Sequence, residues 1–316
     1  MPPAQLQEAP LIAVVGPTGS GKTNWALALA TRFDGEIIGA DSRQVYRGLN
    51  IGTAKPTAAQ RDAVPHHCID HVDPRERYHL GRFLREARAA ISAIRARGRQ
   101  PILAGGTGQY VWALLEGWDV PEVAPDPAFR AVLEQRAADQ GSEVLHAQLR
   151  QSDPAAAAAI LPTNTRRLIR ALEVQRATGR PISAWWAVRD PIPAAIIAPT
   201  IDPGVLDIRI DERVHAMFAD GLIDETQALL QAGLPADAPG LGSIGYRQVV
   251  AHLARTPIDA TGRETAIADT QQATRRLARR QRAWFRAADP RIHWAATLDT
   301  ALAELPVAPG LPTIPS

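Results

Sequence analysis

Leu11-Ile12-Ala13-Val14-Val15, followed at once by Gly16-Pro17-Thr18-Gly19-Ser20-Gly21-Lys22-Thr23, decides the fold. The five apolar residues read as a short buried strand, and Lys22–Phe33 continues in a helical pattern. The eight residues between match G-x-x-x-x-G-K-[ST], in the strand–turn–helix setting that a phosphate loop requires. Successive N–H groups in such a turn form an anion cradle backed by a helix N-terminus. Lys22 adds a point charge, and the Thr23 hydroxyl can ligate Mg²⁺. Gly16, Pro17, Thr18, Gly19, Ser20, Gly21, Lys22 and Thr23 are therefore the expected diphosphate- or nucleotide-binding residues. The cradle recognises a polyphosphate, not a particular nucleotide.

Outward from this loop, short apolar runs recur at Glu36–Gly39, His67–His71, Pro101–Ala104, Ala194–Ile201 and Arg291–Trp294. Amphipathic stretches separate most of them, such as Leu80–Arg97 with Phe83, Leu84, Ala87, Ile91 and Ile94 at helical spacing. Strands alternating with helices predict an α/β fold with a parallel sheet covered on both faces. From about Gly117 to Pro193 the strand signals vanish. That stretch reads as helices over Asp126–Gln140, Glu143–Gln151 and Thr165–Thr178, with Gly179-Arg180-Pro181 as a stop. The 316 residues exceed a typical single domain. We expect a P-loop α/β core of residues 1–116 plus 194–316 and a helical insertion of residues 117–193. The proline-rich termini predict fraying.

Apolar residues make up 46% of the chain and charged residues 22%, which excludes disordered, collagen-like and coiled-coil classes. Leu11–Val15 and Ala194–Ala198 fall far short of the roughly 18 residues of a membrane span, so no membrane partner is expected. Met1–Pro10 has neither a basic residue nor an apolar centre, unlike a signal peptide. A single cysteine, Cys68, allows no intrachain disulfide and points to a reducing, cytoplasmic setting.

The net charge of +2 conceals an asymmetry. Lysine appears only at Lys22 and Lys55, and the rest of the 35 basic residues are arginine. Between Thr270 and Ala288 there is no acid, while arginine stands at 275, 276, 279, 280, 282 and 286. On a helix, Arg275, Arg279, Arg282 and Arg286 fall within about 60°, with Arg276 and Arg280 adjoining. Leu277, Trp284 and Phe285 are left to dock the helix. Six like charges without compensating acids predict a polyanionic partner. Arg166, Arg167 and Arg170 form a smaller cluster in the insertion. His66, His67, Cys68, Asp70 and His71 superficially resemble a metal cluster. On a strand they alternate between faces, so a structural role is expected. Trp112, Trp118, Trp185 and Trp186 read as packing residues.

Phosphate-loop ATPases carry a second acid at the end of an apolar strand to hold the metal. Pro101–Ala104 instead runs into Gly105-Gly106-Thr107-Gly108, with no carboxylate. The acid that does appear is Asp41, directly after the Glu36–Gly39 strand. Residues at carboxyl strand ends meet at the ligand crevice of an open parallel sheet, so Asp41 and Thr107 should face the phosphate loop. A helix N-cap is the other reading of Asp41.

These residues resemble the tRNA dimethylallyltransferases over nearly the whole chain. The marks are Gly16-Pro17-Thr18, Asp41-Ser42-Arg43-Gln44-Val45-Tyr46, Ile51-Gly52-Thr53-Ala54-Lys55-Pro56, Pro65-His66-His67, Gly105-Gly106-Thr107-Gly108 and Ser243-Ile244-Gly245-Tyr246-Arg247. The resemblance implies transfer of a dimethylallyl group from dimethylallyl diphosphate to the exocyclic amine of adenosine 37, beside the anticodon. The loop would then hold the donor's diphosphate, which accounts for the missing second acid. Asp41 would accept the amine proton, and Mg²⁺ on Thr23, with Lys22, would neutralise the leaving group. Arg213 is implied as a further cation, although periodicity alone reads it as an i, i+4 surface pair. Thr107 is implied to position the base.

The tRNA contacts implied are Asp41, Ser42, Arg43, Gln44, Thr107, Arg130, Arg166, Arg167, Arg170, Gly245, Tyr246, Arg247, Arg275, Arg279, Arg280, Arg282 and Arg286. An anticodon stem-loop gripped between core and insertion would have to extrude its target base. A monomer is expected. The alternatives are a small-molecule or nucleoside kinase and a prenyltransferase of free adenine nucleotides, both of which leave the arginine helix unexplained. A GTP-dependent switch would need Asn-Lys-x-Asp, which is absent.

Overall fold

The computed structural model describes residues 10–186, 190–254 and 260–304. The expectation of frayed termini concerns residues largely outside these. The chain forms two compact units, Met1–Leu115 with Ile192–Ser316, and Glu116–Pro191.

The first unit begins with β1 (Leu11–Val15), the phosphate loop and α1 (Lys22–Arg32), then β2 (Gly35–Gly39), α2 (Ala58–Ala63) and β3 (His66–His67). α3 (Leu80–Ala96), β4 (Gln100–Gly105) and α4 (Gly108–Leu115) complete its first segment. β1 is wholly buried, and α3 buries Phe83, Leu84, Ala87, Ile91 and Ile94, the face its apolar spacing predicts. The strand expected over His67–His71 is cut to two residues. Cys68 and Asp70 take φ of 57° and 54°, left-handed values that end an extended run.

In the second unit α5 (Pro127–Gln140), α6 (Glu143–Ser152), α7 (Pro154–Ala159) and α8 (Thr165–Thr178) precede a 3₁₀ turn at Ile182–Trp185. No strand occurs among its described residues. Leu133, Leu145, Leu149, Leu168, Ile169 and Leu172 form its own apolar core. Asp126 caps α5, and Asp153, buried, caps α7.

The first unit resumes with β5 (Ala194–Pro199), α9 (Pro203–Ala219), α10 (Leu222–Gln231), α11 (Tyr246–Leu253), α12 (Ala260–Trp284), β6 (Ile292–Ala295) and α13 (Leu298–Glu304). All six strands pair in parallel, in the order β3-β2-β4-β1-β5-β6. The sheet therefore switches direction around β1, between β4 and β5. The carboxyl ends of these strands open on the phosphate loop, the usual ligand crevice of a doubly wound sheet. No helix among the described residues is long and apolar enough to cross a membrane.

Candidate active site

A cavity of about 410 Å³ lies in the first unit, lined by Thr18, Lys22, Thr23, Asp41, Thr107 and Arg213. The loop wraps it because Gly19 and Gly21 take φ of 82° and 92°, which allows consecutive N–H groups to turn inward. No side chain caps α1. Gly19, Gly21, Lys22 and Thr23 find no acceptor for their N–H groups among the described residues. The Ser20 hydroxyl is buried and equally unpartnered. These orphaned donors are what an oxyanion would satisfy. The half-buried Thr23 hydroxyl offers a hard oxygen in the same cavity, suited to Mg²⁺.

The cations are tightly confined. Lys22 Nζ donates to the Pro17 carbonyl at 3.1 Å. Burial pushes its ammonium down to about 8, against the pull of Asp41 and with added repulsion from Arg213. Burial also draws the Arg213 guanidinium below its ordinary value, opposed by Asp41. Arg213 donates from Nη1 to Thr18 Oγ1 at 3.0 Å, so it belongs to the site and not to a surface pair.

Asp41 stands just past β2, where the strand-end argument places it. Its Oδ1 accepts from the Arg43 N–H at 2.8 Å and the Gln44 N–H at 3.4 Å, capping a tight turn and not a helix. The turn is clasped by Thr107, whose hydroxyl oxygen accepts from Ser42 N–H at 3.1 Å while its own N–H donates to Ala40 at 3.1 Å. Gln44 donates to the carbonyls of Thr53 and Ala54, both at 3.1 Å, and Arg43 donates to that of Pro239. Arg43 and Arg247 are exposed and line the cavity.

Other expected nucleic-acid contacts are placed differently. Tyr246 is fully buried, donating to Glu225 and accepting from Gly52 N–H, and Gly245 is buried beside it. Both support the Ile51–Pro56 loop instead of facing a ligand. Arg275 is paired with Asp211 of α9, an acid invisible in the helix's own sequence. Arg279, Arg280, Arg282 and Arg286 are exposed, with no ion-pair partner among the described residues; Arg276 and Arg280 reach the cavity. Phe285 docks α12 as expected, whereas Leu277 lines the cavity and Trp284 is 40% exposed.

In the second unit, Arg130 and Arg170 both bind the buried Glu173, at 2.7 Å each, a packing role the cluster reading overlooked. Arg166 and Arg167 remain exposed. Trp186 is 50% exposed and is no packing residue, while Trp112 is buried and donates to the Trp284 carbonyl. In the histidine segment His67 meets Glu36, His71 meets Glu86, and Asp70 meets Lys55 and Arg61, while His66 lines the cavity. No group of potential metal ligands forms among the described residues. Burial pushes the Cys68 thiol up to about 12.

Sequence reasoning missed Gln281 of α12, whose Oε1 accepts from the Thr18 N–H at 2.8 Å, and Met217, Thr270 and Thr274 in the cavity wall. Helical spacing of Thr270, Thr274, Leu277 and Gln281 was the available signal, masked by the arginines between them.

Two family models match this chain, that of the IPP transferases over residues 44–288 and that of the isopentenyl transferases over residues 9–69. The tRNA dimethylallyltransferase of Roseiflexus sp. (strain RS-1) is 52% identical over 279 residues, spanning 88% of this chain and 90% of that protein. The crystal structure of the tRNA isopentenylpyrophosphate transferase of Bacillus halodurans is similar, with 40% identity, a TM-score of 0.64 and coverage of 91% and 89%. A eukaryotic dimethylallyltransferase, captured acting on tRNA, matches with a TM-score of 0.76 and 28% identity, over 92% of this chain and 75% of that one.

Proposed function

The chain belongs to the IPP transferase family, and from that membership we propose that it transfers a dimethylallyl group from dimethylallyl diphosphate to the exocyclic amine of adenosine 37 in tRNA. The single observation that carries the reading is the cavity in which orphaned loop N–H groups, two half-buried cations and one carboxylate converge.

The chemistry follows from those groups. An adenine amine is a weak nucleophile because its lone pair is delocalised into the ring. As its nitrogen bonds to the allylic carbon, the carbon–oxygen bond to diphosphate breaks and the nitrogen must shed a proton. Asp41 accepts that proton, through the oxygen its turn leaves uncapped. Lys22 and Arg213 meet the charge growing on the departing diphosphate, with the free N–H groups of Gly19, Gly21, Lys22 and Thr23 around it. Thr23 would hold Mg²⁺ when bound, and that cation would supply further neutralisation of the leaving group. Thr107 acts as a positioning residue, since its hydroxyl holds the turn that carries Asp41.

Within the first unit, the anticodon stem-loop is read as lying on the exposed arginines of α12, with Arg43, Gln44 and Arg247 at the cavity mouth. We place the enzyme in the cytoplasm, acting as a monomer. Incubation with total tRNA, Mg²⁺ and labelled dimethylallyl diphosphate tests the reading. Label should enter RNA and be recovered as isopentenyladenosine. ADP formation from ATP without RNA labelling would instead establish a kinase.

A further inference from the structure

A phosphate loop of this sequence can serve di- and triphosphates alike, yet here the Ser20 N–H is spent on the Pro17 carbonyl at 3.3 Å and that of Thr18 on a side chain from another helix. Thr18 N–H donates to Gln281 Oε1 at 2.8 Å, while those of Gly19, Gly21, Lys22 and Thr23 stay open. Gln281 is only 7% exposed and lines the cavity beside the loop. Its amide fits there because residue 106 is glycine: a Cβ on Gly106 would lie 2.4 Å from Gln281 Nε2. Arg213 fixes the other face of the same residue through Thr18 Oγ1. Thr18 is thus immobilised from two helices, and the cradle begins effectively at Gly19.

We propose that Gln281 is a specificity-determining residue that shortens the phosphate cradle, so that the site prefers a diphosphate over a triphosphate. An additional phosphate running along the loop from the Lys22 end would have to displace the Gln281 carboxamide from Thr18 N–H. That exchange leaves a buried amide without its partner. Two phosphates are served by the four open N–H groups and by Lys22 without disturbing it. The device excludes abundant nucleoside triphosphates from a loop whose sequence would otherwise admit them. This inference rests on the reading of the loop as the diphosphate site.

The test is calorimetric binding of inorganic diphosphate and inorganic tripolyphosphate, each with Mg²⁺, to the wild-type chain, Gln281→Ala and Gly106→Ala. The wild type should favour diphosphate. In Gln281→Ala the ratio of the two dissociation constants should move toward tripolyphosphate by about tenfold, or 1.4 kcal/mol. Gly106→Ala should move it the same way, because it evicts an intact Gln281. The ratio is the informative quantity, since mere loosening of the site weakens both ligands together. An unchanged ratio in both variants, with diphosphate still bound, would overturn the specificity role and leave the diphosphate site standing. If neither anion bound the wild type, the reading of the loop would fall, and this inference with it.

Discussion

Arg213 and Thr18 lie 195 positions apart in sequence, yet the guanidinium of the first donates to the hydroxyl of the second at 3.0 Å. This one hydrogen bond fastens α9 to the phosphate loop and brings a second half-buried cation to Lys22. Neither charge has a direct ion-pair partner among the described residues, although the Asp41 carboxylate acts on both. Two positive charges held so near each other are an uncomfortable arrangement for an empty site and a favourable one for a site holding a polyanion.

Substitution of Asp41 separates its two tasks. Asn keeps the Oδ1 that accepts from Arg43 and Gln44, so Asp41→Asn should melt within a degree or two of the wild type. Its single-turnover transfer rate should fall by about 10²–10⁴-fold, the range for a lost general base. Asp41→Ala should lose both the rate and the turn, detectable as a lower Tm. A near-normal rate in Asp41→Asn would reduce the carboxylate to a cap.

The depressed Lys22 ammonium sets a pH limit. With its value near 8, Lys22 is charged below that pH and neutral above it. kcat/KM for the prenyl donor should therefore be flat toward neutrality and decline above about pH 8, approaching tenfold per unit. Lys22→Arg should abolish that alkaline limb even if its plateau is lower. A limb unchanged in the arginine variant would assign the titration to another group.

Salt dependence should discriminate among the arginines of α12. Each contact with a phosphate contributes about −0.7 to −0.9 to the slope of log K against log salt. Replacing exposed Arg279 and Arg282 with glutamine should flatten the slope for an anticodon stem-loop by roughly one and a half units and raise the tRNA KM. Arg275→Gln, which removes a guanidinium already paired with Asp211, should leave the slope nearly unchanged. Equal slopes in all three proteins would remove this face from RNA binding.

Acid should destabilise the insertion through Glu173. Burial raises a carboxyl, but the hydrogen bonds from Arg130, the Asp126 N–H and Arg170 outweigh it and hold Glu173 at about 2. A carboxyl depressed on folding contributes its stability above its unfolded value and loses it as pH falls from about 4.5 toward 2. Glu173→Gln should cost roughly 2 kcal/mol at neutral pH, below the usual loss for a broken buried pair because the two arginines keep 28% and 31% of their side-chain surface in water. It should also flatten acid unfolding over that interval, followed by circular dichroism on the full chain.

What the sequence made legible was whatever is encoded locally or by strand order. The phosphate loop is contiguous, and Asp41 and Thr107 follow strands whose carboxyl ends must converge once the sheet is parallel. The position of α8 was readable to the residue, between a capping Asn164 and Gly179. Partnerships across the fold were not. Arg213 sits in a helix whose spacing suits a surface pair, and only packing of α9 on the loop reveals otherwise. Arg275 seemed uncompensated because Asp211 lies 64 positions upstream. Gln281 was hidden among charges that dominate any reading of its helix. Arg170 is the instructive exception, since Glu173 stands one helical turn away in plain sight and was passed over in favour of the cluster.

The backbone of the core closes behind the insertion: Ile192 N–H donates to the Leu115 carbonyl at 2.9 Å, and two residues later β5 takes its place beside β1. Departure and return are thus neighbours on one rung. For evolution this makes the intervening segment a cassette, free to lengthen, shorten or change composition without shifting the register of any strand. Change can accumulate there while the unit that carries the phosphate loop, Asp41 and Arg213 keeps its geometry.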